Sequence, residues 1–513
     1  MSGVVFRTDA STVIGTGHVM RCLTLAAKLK ESGAQVAFVC REHAGHLCDM
    51  IEDRWGFAVY RLPRDPNHDK QSRRSDADLA HAGWLDSGRE NDAAETTAAI
   101  STQFKYPDWL VVDHYALDAR WEAALRPLTR NLMVIDDLAD RHHDCDVLLD
   151  QNLHRNIAKR YDDLVPAHCC RLLGPQYALL RPEFQIARKK LRVRDGTVRQ
   201  VLIFFGGMDA HNETSKAIEA ITSINRPDLT VDVIVGATNP NLENIRSICA
   251  RLAHVRLHHN PGNIAELIAN ADLSIGAAGA TAWERCCLGL PSIMISLAMN
   301  QESIAHALAD DGLAIYLGKR AAVTAGMITA AVEELMRNPD RMKAMGRACA
   351  ELTDGNGAKR VACALDSHPI VLRPAQIGDC DSLYQWRNAE ETRRYFHHPE
   401  PISIETHRDW LTSVLRNKSR SLLIGQRNGE PVGVLRYDCA RTQCAVSIYL
   451  VPSQRGHGYG SRLLCAGHEW LRQNRQNIRQ VRAEVVKANR ASVGAFLQAG
   501  YVKDDGVFVK QIA

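Results

Sequence analysis

A histidine follows a glycine-rich turn near the start of the chain. Residues 15–18 read GTGH, after an apolar run at 4–7 and at the start of a segment, 18–31, whose apolar residues recur at helical spacing. His18 is therefore predicted at a helix N-terminus, where the helix dipole disfavours an imidazolium. A neutral imidazole in that place could accept a proton from water. Helix capping or packing is the alternative role for His18.

Two further glycine loops occur in the middle of the chain. Gly206 and Gly207 follow the apolar run 201–205, and residues 276–281 (GAAGAT), which include Gly279, follow the run 273–275. Glu284 comes about one helical turn after the second loop. Backbone N–H groups of such loops bind phosphates, and a nearby acidic residue accepts hydrogen bonds from ribose hydroxyls. The pattern predicts a nucleoside diphosphate site, although a solvated helix surface is the alternative reading of Glu284.

A fourth glycine-rich segment, residues 455–460 (RGHGYG), lies between a predicted strand at 447–451 and a helix expected from Ser461. Glycines let backbone N–H groups approach a pyrophosphate closely, and a helix N-terminus adds a partial positive charge. The order strand, glycine loop, helix therefore predicts a pyrophosphate cradle. A tight strand-to-helix turn without a ligand is the alternative.

Short apolar runs alternate with amphipathic segments through the first 350 residues or so, which predicts two doubly wound parallel sheets covered by helices. The pattern breaks at the turn-forming residues 352–357 and 366–369, and the remainder has the pattern of a mixed α+β domain. We predict an α/β protein with domains at 1–190, 191–366 and 369–513. The predicted strands are 4–7, 35–40, 109–112, 132–135, 147–149, 200–205, 231–235, 255–258, 273–275, 292–295, 314–317, 421–426, 432–437, 445–451 and 481–486.

The composition is that of an ordinary soluble protein, with 45% hydrophobic and 24% charged residues in a chain of 513. We find no targeting signal and no apolar run of membrane-spanning length, so we expect a cytoplasmic protein with no membrane partner. Residues 370–513 carry 21 Lys and Arg against 13 Asp and Glu, a net +8, which leaves −4 for residues 1–369. Because these basic residues are scattered, a small anionic ligand explains them better than nucleic acid does, and a solvated surface is the alternative.

The fifteen cysteines include no CxxC pair, and the two vicinal pairs lack a second pair at zinc-ligand spacing. We therefore predict reduced, mostly buried cysteines and expect no metal cofactor.

Several motifs in residues 1–350 together resemble one family of nucleotide-sugar enzymes. These motifs are 6–11 (FRTDAS), 15–22 (GTGHVMRC), 113–115 (DHY), 135–137 (IDD), 177–181 (YALLR) and 298–301 (AMNQ). They resemble the UDP-sugar hydrolases of pseudaminic acid biosynthesis, which have the GT-B architecture of two facing Rossmann-like domains. The resemblance implies that water, activated by His18, cleaves UDP-2,4-diacetamido-2,4,6-trideoxy-β-L-altrose with inversion. It also implies substrate-binding roles for Asp113, Tyr115, Asn300 and Gln301.

Residues 370–513 resemble the GNAT-type N-acetyltransferases over their whole length. The resemblance rests on the 455–460 loop, on Asn489, Ser492, Phe496 and residues 500–501 (GY) after the next strand, and on residues 372–375 (LRPA) and 386–388 (WRN). It implies acetyl-CoA as cosubstrate, with the backbone of Leu450 and Val451 bonded to the pantetheine arm. The remaining cofactor-binding residues implied in this way are Arg455, Gly456, Gly458, Gly460 and Asn489.

The second resemblance includes one departure. Many GNAT members carry a tyrosine that protonates the departing CoA thiolate, and the matching position holds Phe496. The general acid is therefore unassigned. Tyr501, one residue beyond the motif glycine, is expected to pack, while Glu484 is a candidate base acting through water.

Both resemblances concern consecutive steps of one pathway, since N-acetylation of the 4-amino group of a UDP-aminosugar produces the substrate of the hydrolase. We therefore hypothesise a bifunctional enzyme. The C-terminal motifs alone would equally admit a protein N-terminus or a small amine as acetyl acceptor. A glycosyltransferase with the same N-terminal fold, and a non-catalytic protein that binds UDP-sugar and acetyl-CoA, are the alternatives for the whole chain.

Overall fold

The computed structural model describes residues 3–64, 79–104, 106–365, 370–396, 398–427, 429–456, 458–486, 489–504 and 506–512. His457 of the C-terminal glycine loop and residues 366–369 of the predicted domain boundary lie outside these ranges. The chain divides into two compact units, Met1–Leu365 and Asp366–Ala513. In the ranges described, no helix is long and apolar enough to cross a membrane.

The first sheet is parallel and has the order β3-β2-β1-β4-β5-β6-β7. Its central strands are almost wholly buried and mostly apolar, as expected where helices cover both faces. The strands are β1 (Gly3–Thr8), β2 (Gln35–Arg41), β3 (Ala58–Leu62), β4 (Trp109–Asp113), β5 (Asn131–Ile135), β6 (Val147–Asp150) and β7 (Cys170–Leu173). The helices are α1 (Gly17–Glu31), α2 (Cys48–Trp55), α3 (Arg89–Gln103), α4 (Ala119–Leu125) and α5 (Pro182–Lys189).

The second sheet is also parallel, in the order β10-β9-β8-β11-β12-β13. Its strands are β8 (Gln200–Phe204), β9 (Thr230–Val235), β10 (Val255–His259), β11 (Leu273–Ala277), β12 (Ser292–Ser296) and β13 (Ala314–Lys319). Its helices are α6 (Glu213–Ser223), α7 (Leu242–Cys249), α8 (Ile264–Asn270), α9 (Thr281–Cys287), α10 (Glu302–Asp310), α11 (Ala325–Met336), α12 (Pro339–Leu352) and α13 (Gly357–Ala364).

Strand order reverses once in each of these sheets. β1 lies between β2 and β4, and β8 lies between β9 and β11. At such a point the connections leave neighbouring strands in opposite directions, so a crevice opens at the carboxyl ends of the strands. In the first sheet His18 follows β1 and Asp113 ends β4. In the second sheet Gly206 follows β8 and Gly279 follows β11. The topology thus gathers the predicted residues at one crevice in each sheet.

The last helix of the first unit returns to the first sheet. Ala358, Val361 and Ala362 of α13 belong to the same buried cluster as Val4 and Phe6 of β1. A side-chain hydrogen bond from Trp283 of α9 to Asn152, just after β6, joins the two halves a second time. The two parallel sheets of the first unit are therefore connected by packing as well as by the chain.

The second unit is built on a mostly antiparallel sheet in the order β14-β15-β16-β17-β18-β20-β19. Among the described strands of this sheet, β17 and β18 are the pair that runs in parallel. The strands are β14 (Val371–Pro374), β15 (Arg420–Arg427), β16 (Glu430–Ala440), β17 (Gln443–Leu450), β18 (Gln480–Glu484), β19 (Val502–Asp504) and β20 (Val507–Gln511). The helices are α14 (Cys380–Asn388), α15 (Glu390–Arg393), α16 (Ile404–Arg416), α17 (Tyr459–Asn474) and α18 (Arg490–Gln498).

The predicted fold class is confirmed, with two parallel Rossmann-like sheets and a mixed third sheet. Every predicted strand is present, to within a few residues at its ends. The strands that the sequence did not predict are β3, β7, β14, β19 and β20. These are short, and all but β20 are edge strands, which have one neighbouring strand; β20 lies next to the edge strand β19.

The cysteine prediction needs one correction. Cys439 and Cys444 form a disulfide between β16 and β17. The two residues are direct partners in the antiparallel register, so their side chains lie on the same face of the sheet. The other thirteen cysteines are free, and eleven of these are buried or partly buried.

Acid should weaken the second unit through one buried histidine. Burial, helped by the charges of Lys510 and Arg472, lowers the pKa of His468 to about 3, and its Nε2 lies 2.9 Å from the Tyr501 hydroxyl. An unfolded chain binds this proton near pH ~6.5, so the stabilising contribution is complete above that pH and is lost as pH falls toward the folded value. We expect His468→Gln to flatten the pH dependence of the second unit's thermal transition between pH 6.5 and 4. Calorimetry of the full chain would contradict this if both proteins showed the same slope.

Candidate active sites

His18 and Asp113 form a buried pair at the crevice of the first sheet. His18 is the second residue of α1, and Asp113 ends β4, the strand that pairs with β1. The His18 Nδ1 atom lies 2.6 Å from Oδ1 of Asp113. A carboxylate at Nδ1 holds the proton on that nitrogen and leaves the lone pair on Nε2. His18 thus has the orientation that a general base requires.

Asp113 lies behind the histidine, away from solvent. Its side chain is fully buried, and Arg21 donates to both carboxylate oxygens at 2.6 Å. Burial raises the pKa of Asp113, but the Arg21 charge and the hydrogen bonds from Arg21 and His18 outweigh it and hold that pKa well below its usual range. The sequence predicted Asp113 as a substrate-binding residue. With both oxygens bonded to neighbouring side chains, the carboxylate faces His18 and Arg21.

A second carboxylate, Asp137, extends this network. It accepts hydrogen bonds from Arg21 Nη1 at 3.2 Å, from Asn152 Nδ2 at 3.1 Å and from the Tyr115 hydroxyl. Burial and the nearby Asp137 charge raise the pKa of Tyr115 well above its usual value. Tyr115 remains protonated and keeps its ring edge against His18, at 4.6 Å between ring centroids. Arg21 and Asp137 lay in motifs that supported the family resemblance, but no role was predicted for them.

Two aromatic residues that the sequence analysis missed complete the surroundings of His18. The Trp84 ring stacks on Tyr115 at 5.5 Å and lies edge-on to His18 at 6.1 Å. His81 contacts both Trp84 and Tyr115, at 4.6 and 5.3 Å. Both newly found residues are partly exposed. No glycine loop or recognisable motif surrounds them, so only the folded chain shows that they lie beside His18.

The glycines after β8 lie at the crevice of the second sheet. Gly206 has a φ of +92°, a left-handed conformation that favours glycine. A Cβ atom on Gly206 or Gly207 would meet nothing within 4 Å, so both face open space. There is therefore room for a bound group at this loop, and its role in binding phosphate stays a prediction.

The second loop of this crevice lies close to Gln301. A methyl group at Gly279 would lie 3.4 Å from Nε2 of Gln301, whose Oε1 accepts a 2.9 Å hydrogen bond from the Leu297 N–H. Asn300 is exposed on the same short turn. The structure thus brings Gln301 to the loop that contains Gly279 and leaves the Asn300 side chain accessible.

Glu284 is partly buried on α9. Its Oε1 atom lies 3.5 Å from Arg181 Nη2, and Arg181 also pairs with Glu183 at 2.9 Å. Burial raises the pKa of Glu284, while the Arg181 charge opposes this shift. The predicted ribose acceptor is therefore a carboxylate that already has a cationic neighbour. Among the residues described, no group of three or more His, Cys, Asp or Glu side chains is arranged to hold a metal ion.

The parallel pair β17 and β18 separates along its length. The two strands pair only from Gln443 with Gln480 to Ala445 with Arg482, although β17 continues to Leu450. Beyond this point β17 keeps β16 on one side and loses β18 on the other. The C-terminal half of β17 is therefore splayed away from β18, which leaves a gap beside it.

The direction of the backbone groups in β17 follows from one hydrogen bond. The Val451 N–H donates to the Val432 carbonyl at 3.0 Å, and the Val451 carbonyl accepts from Gln454. Because alternate residues of an antiparallel strand direct N–H and C=O to opposite sides, Leu450 and Ile448 direct theirs toward the gap. Of the two residues predicted to bond the pantetheine arm, Leu450 is placed for it, whereas Val451 is turned toward β16. Ile448 was not predicted.

The glycine loop before α17 has the backbone geometry expected of a cradle. Gly456 and Gly458 have φ values of +82° and +77°, and α17 begins at Tyr459. The Arg455 guanidinium donates to the Glu391 carbonyl at 2.6 Å and to Thr392 Oγ1 at 2.8 Å. The Arg455 side chain therefore fastens the loop to α15.

Two other predicted cofactor residues have structural contacts. A methyl group at Gly460 would lie 3.1 Å from the Ala495 Cβ, so this glycine allows α17 and α18 to pack closely. The Asn489 side chain caps α18 by accepting from the Ser492 N–H at 3.1 Å. Both residues therefore help to position the two helices on this side of the sheet.

The residues considered for proton transfer differ in exposure. Phe496 is buried against Tyr501, with ring centroids 4.9 Å apart. Tyr501 is also buried, which confirms that it packs. Glu484 is exposed at the end of β18, on the face opposite to the buried Ala483. Phe496 thus brings no ionisable group to its position, while the Glu484 carboxylate is accessible to solvent.

Comparisons with known proteins agree with this division of the chain. The model of the glycosyltransferase family 28 C-terminal domain matches residues 201–361, and that of the acetyltransferase (GNAT) domain matches residues 370–502. The first unit also resembles MurG of Acinetobacter baumannii in fold, with a TM-score of 0.51 at 16% identity over 71% of this chain and 99% of that one.

Two curated relatives extend the comparison. The UDP-2,4-diacetamido-2,4,6-trideoxy-β-L-altropyranose hydrolase of Campylobacter jejuni is 27% identical over 310 residues, which are 60% of this chain and 97% of that protein. An uncharacterized protein of Methanocaldococcus jannaschii is 23% identical over 443 residues, 82% of this chain and 80% of that protein. The second match is longer than the first unit, so it extends into the second. The chain is thus a homologue of the Campylobacter hydrolase. In this chain a GT-B-like pair of domains is followed by a GNAT acetyltransferase domain.

Proposed function

We propose that the first unit hydrolyses UDP-2,4-diacetamido-2,4,6-trideoxy-β-L-altrose to UDP and the free sugar, and that the second acetylates the 4-amino group of the precursor UDP-aminosugar. The observation that carries the hydrolase proposal is the His18–Asp113 pair, 2.6 Å apart at the crevice of the first sheet. The homology to a hydrolase of this substrate supports it.

In the proposed hydrolysis, His18 Nε2 accepts a proton from water as the water oxygen attacks the anomeric carbon. The bond between that carbon and the UDP oxygen breaks, and UDP leaves with the electron pair. Attack opposite the leaving group inverts the anomeric centre. Asp113 keeps His18 in the tautomer with a free Nε2 and faces the positive charge that develops on the ring.

UDP requires little help to leave. Its terminal phosphate has a second ionisation near pKa ~6, so departure needs no carboxylic acid partner of the kind glycosidases use. Backbone N–H groups around Gly206 and Gly279 would stabilise the phosphates, and Glu284 would accept from the ribose. The rings of Trp84 and Tyr115 beside His18 suit a sugar made apolar by its 6-deoxy carbon and acetamido methyl groups.

For the acetyltransferase we propose that the pantetheine arm of acetyl-CoA bonds to Ile448 and Leu450 and that the pyrophosphate lies on the loop at Gly456 and Gly458. The free sugar amine attacks the thioester carbon, the carbon–sulfur bond breaks, and CoA leaves as the thiolate. Glu484 would take the amine proton through water. The GNAT domain match and the gap beside β17 support this half of the proposal.

One assay tests both halves. Purified full-length protein is given acetyl-CoA and UDP-4-amino-4,6-dideoxy-β-L-AltNAc, and release of CoA and of UDP is followed separately. We expect CoA release first, then UDP release without any added sugar acceptor. UDP release that required an acceptor hydroxyl would replace the hydrolase by a glycosyltransferase, and binding of both ligands without product would refute both activities.

A glycine pair tests the cofactor loop. Gly456 and Gly429 share a φ of +82°, and a Cβ added at either would meet nothing within 4 Å of the described residues, but Gly429 lies in the turn between β15 and β16. Valine at either position imposes similar backbone strain. We expect Gly456→Val to raise the KM for acetyl-CoA by about tenfold or more, because its side chain would fill the space of the pyrophosphate. Gly429→Val should leave that KM unchanged, and an equal rise in both variants would mean that strain alone is measured.

A further inference from the structure

We infer that a buried chain of hydrogen-bonded side chains links the nucleotide-binding helix α9 to His18, so that α9 helps to position the catalytic base. The chain runs from Trp283 through Asn152, Asp137 and Arg21 to Asp113. This inference rests on the proposed hydrolase function. It assigns positioning roles to Trp283, Asn152 and Asp137 that neither the motifs nor the comparisons suggest.

The first link joins the two halves of the first unit. Trp283 is fully buried on α9, immediately before Glu284, and its indole N–H donates to Asn152 Oδ1 at 3.0 Å. Asn152 is also buried and follows β6 of the first sheet. If α9 moves, Asn152 must therefore move with the indole N–H of Trp283, or this buried hydrogen bond breaks.

The second link fixes the orientation of the Asn152 amide. Its Oδ1 accepts from Trp283, and its Nδ2 donates to Asp137 Oδ2 at 3.1 Å. A rotated amide would place donor against donor at one end and acceptor against acceptor at the other. Because both ends of its amide are bonded, Asn152 can adopt only one orientation between Trp283 of α9 and Asp137.

The third link reaches the catalytic pair. Arg21 donates to Asp137 at 3.2 Å through one nitrogen and to both oxygens of Asp113 at 2.6 Å through the other two. A planar guanidinium held at three nitrogens has little rotational freedom. Arg21 therefore sets the plane of the Asp113 carboxylate, which in turn orients His18.

Burial strengthens this series of hydrogen bonds. The side chains of Arg21 and Asp137 are 11% and 13% exposed, and that of Asp113 is fully buried. Hydrogen bonds in such a low-dielectric setting are stronger, and breaking one leaves an unsatisfied buried group. The packed position of α9 should therefore hold His18 in its productive orientation from some five side chains away.

Trp283→Phe tests the inference, since it keeps the ring packing and removes only the indole N–H. We expect the kcat for UDP release to fall about tenfold, the size of effect that a small misplacement of a base produces, while the Kd for UDP measured by calorimetry changes less than about twofold. Asn152→Leu should lower kcat at least as much. The double variant should be no slower than Asn152→Leu alone, because both changes interrupt the same chain.

Trp121→Phe is the matched control. Trp121 is equally buried and also donates its indole N–H at 3.0 Å, but to Asp92, which does not belong to this series of hydrogen bonds. Trp121→Phe should keep the wild-type kcat. If buried tryptophans had only a structural role, Trp121→Phe and Trp283→Phe should instead affect kcat alike. Wild-type kcat in Trp283→Phe, or multiplicative losses in the double variant, would overturn the inference and leave the hydrolase proposal intact. Absence of UDP release from the wild type would refute the proposed function, and the inference with it.

Discussion

His18→Gln is expected to slow UDP release from the diacetamido UDP-sugar by about a thousandfold, within the range that general bases contribute. Glutamine is similar in length and can still donate a hydrogen bond to Asp113, so the buried carboxylate keeps a partner. It has no nitrogen that can take a proton from water. The measurement is the steady-state rate of UDP release by full-length protein, with UDP affinity determined in parallel.

Two controls show whether the loss belongs to one residue at one site. His143→Gln changes another buried histidine whose Nδ1 lies 2.7 Å from a carboxylate, that of Glu122, and it should leave UDP release near the wild-type rate. CoA release by the second unit should be unaffected in both variants. Retained UDP release in His18→Gln would mean that the base is a different residue and that the turn at residues 15–18 is structural.

The fold was predictable wherever burial is two-sided. Strands such as β4 and β11 are buried along their whole length and mostly apolar, which gives a continuous signal in the sequence. β3 and β19 carry no such run, because each has a neighbouring strand on one side only. Their formation depends on the hydrogen-bonding edge that the rest of the sheet presents, and this is a tertiary property.

The glycine loops were predictable for a similar reason, since a loop that follows a strand and opens a helix is local in sequence. The side chains that complete the first site are not local. Arg21 contacts Asp113 and Asp137 across 92 and 116 residues, and Trp283 contacts Asn152 across 131. The strand order, which places β1 beside β4, gathers the Arg21 contacts, and the packing of the two halves brings Trp283 to Asn152.

The pantetheine site shows a further limit to what the sequence alone can predict. Leu450 and Val451 are adjacent, and the resemblance implied both, yet adjacent residues of a strand direct their backbone groups to opposite sides. The hydrogen bond from Val451 to Val432 decides which of them faces the gap. A pattern of residue types contains no such information, because backbone direction depends on register with the neighbouring strand.

Asp113→Asn is expected to lower the kcat for UDP release by about 10³- to 10⁴-fold, as replacement of the aspartate does in a serine protease triad. An amide at this position can donate to Nδ1 of His18, which would move the imidazole proton to Nε2 and remove the acceptor that water needs. Arg21 also loses its bidentate partner but keeps Asp137 at 3.2 Å. Some loss of thermal stability is therefore expected, so rates are measured well below the melting temperature of the variant.

Glu122→Gln separates the effect of a lost buried carboxylate from the effect on catalysis. Glu122 is fully buried and holds His143 as Asp113 holds His18, but it lies outside the crevice network. If Asp113 acts by orienting the base, Glu122→Gln should lose stability with a nearly unchanged kcat, whereas Asp113→Asn should lose kcat with an unchanged Kd for UDP. Equal losses of kcat in the two variants would assign Asp113 a structural role only. Weakened UDP binding in Asp113→Asn would instead support the substrate-binding role that the sequence first suggested.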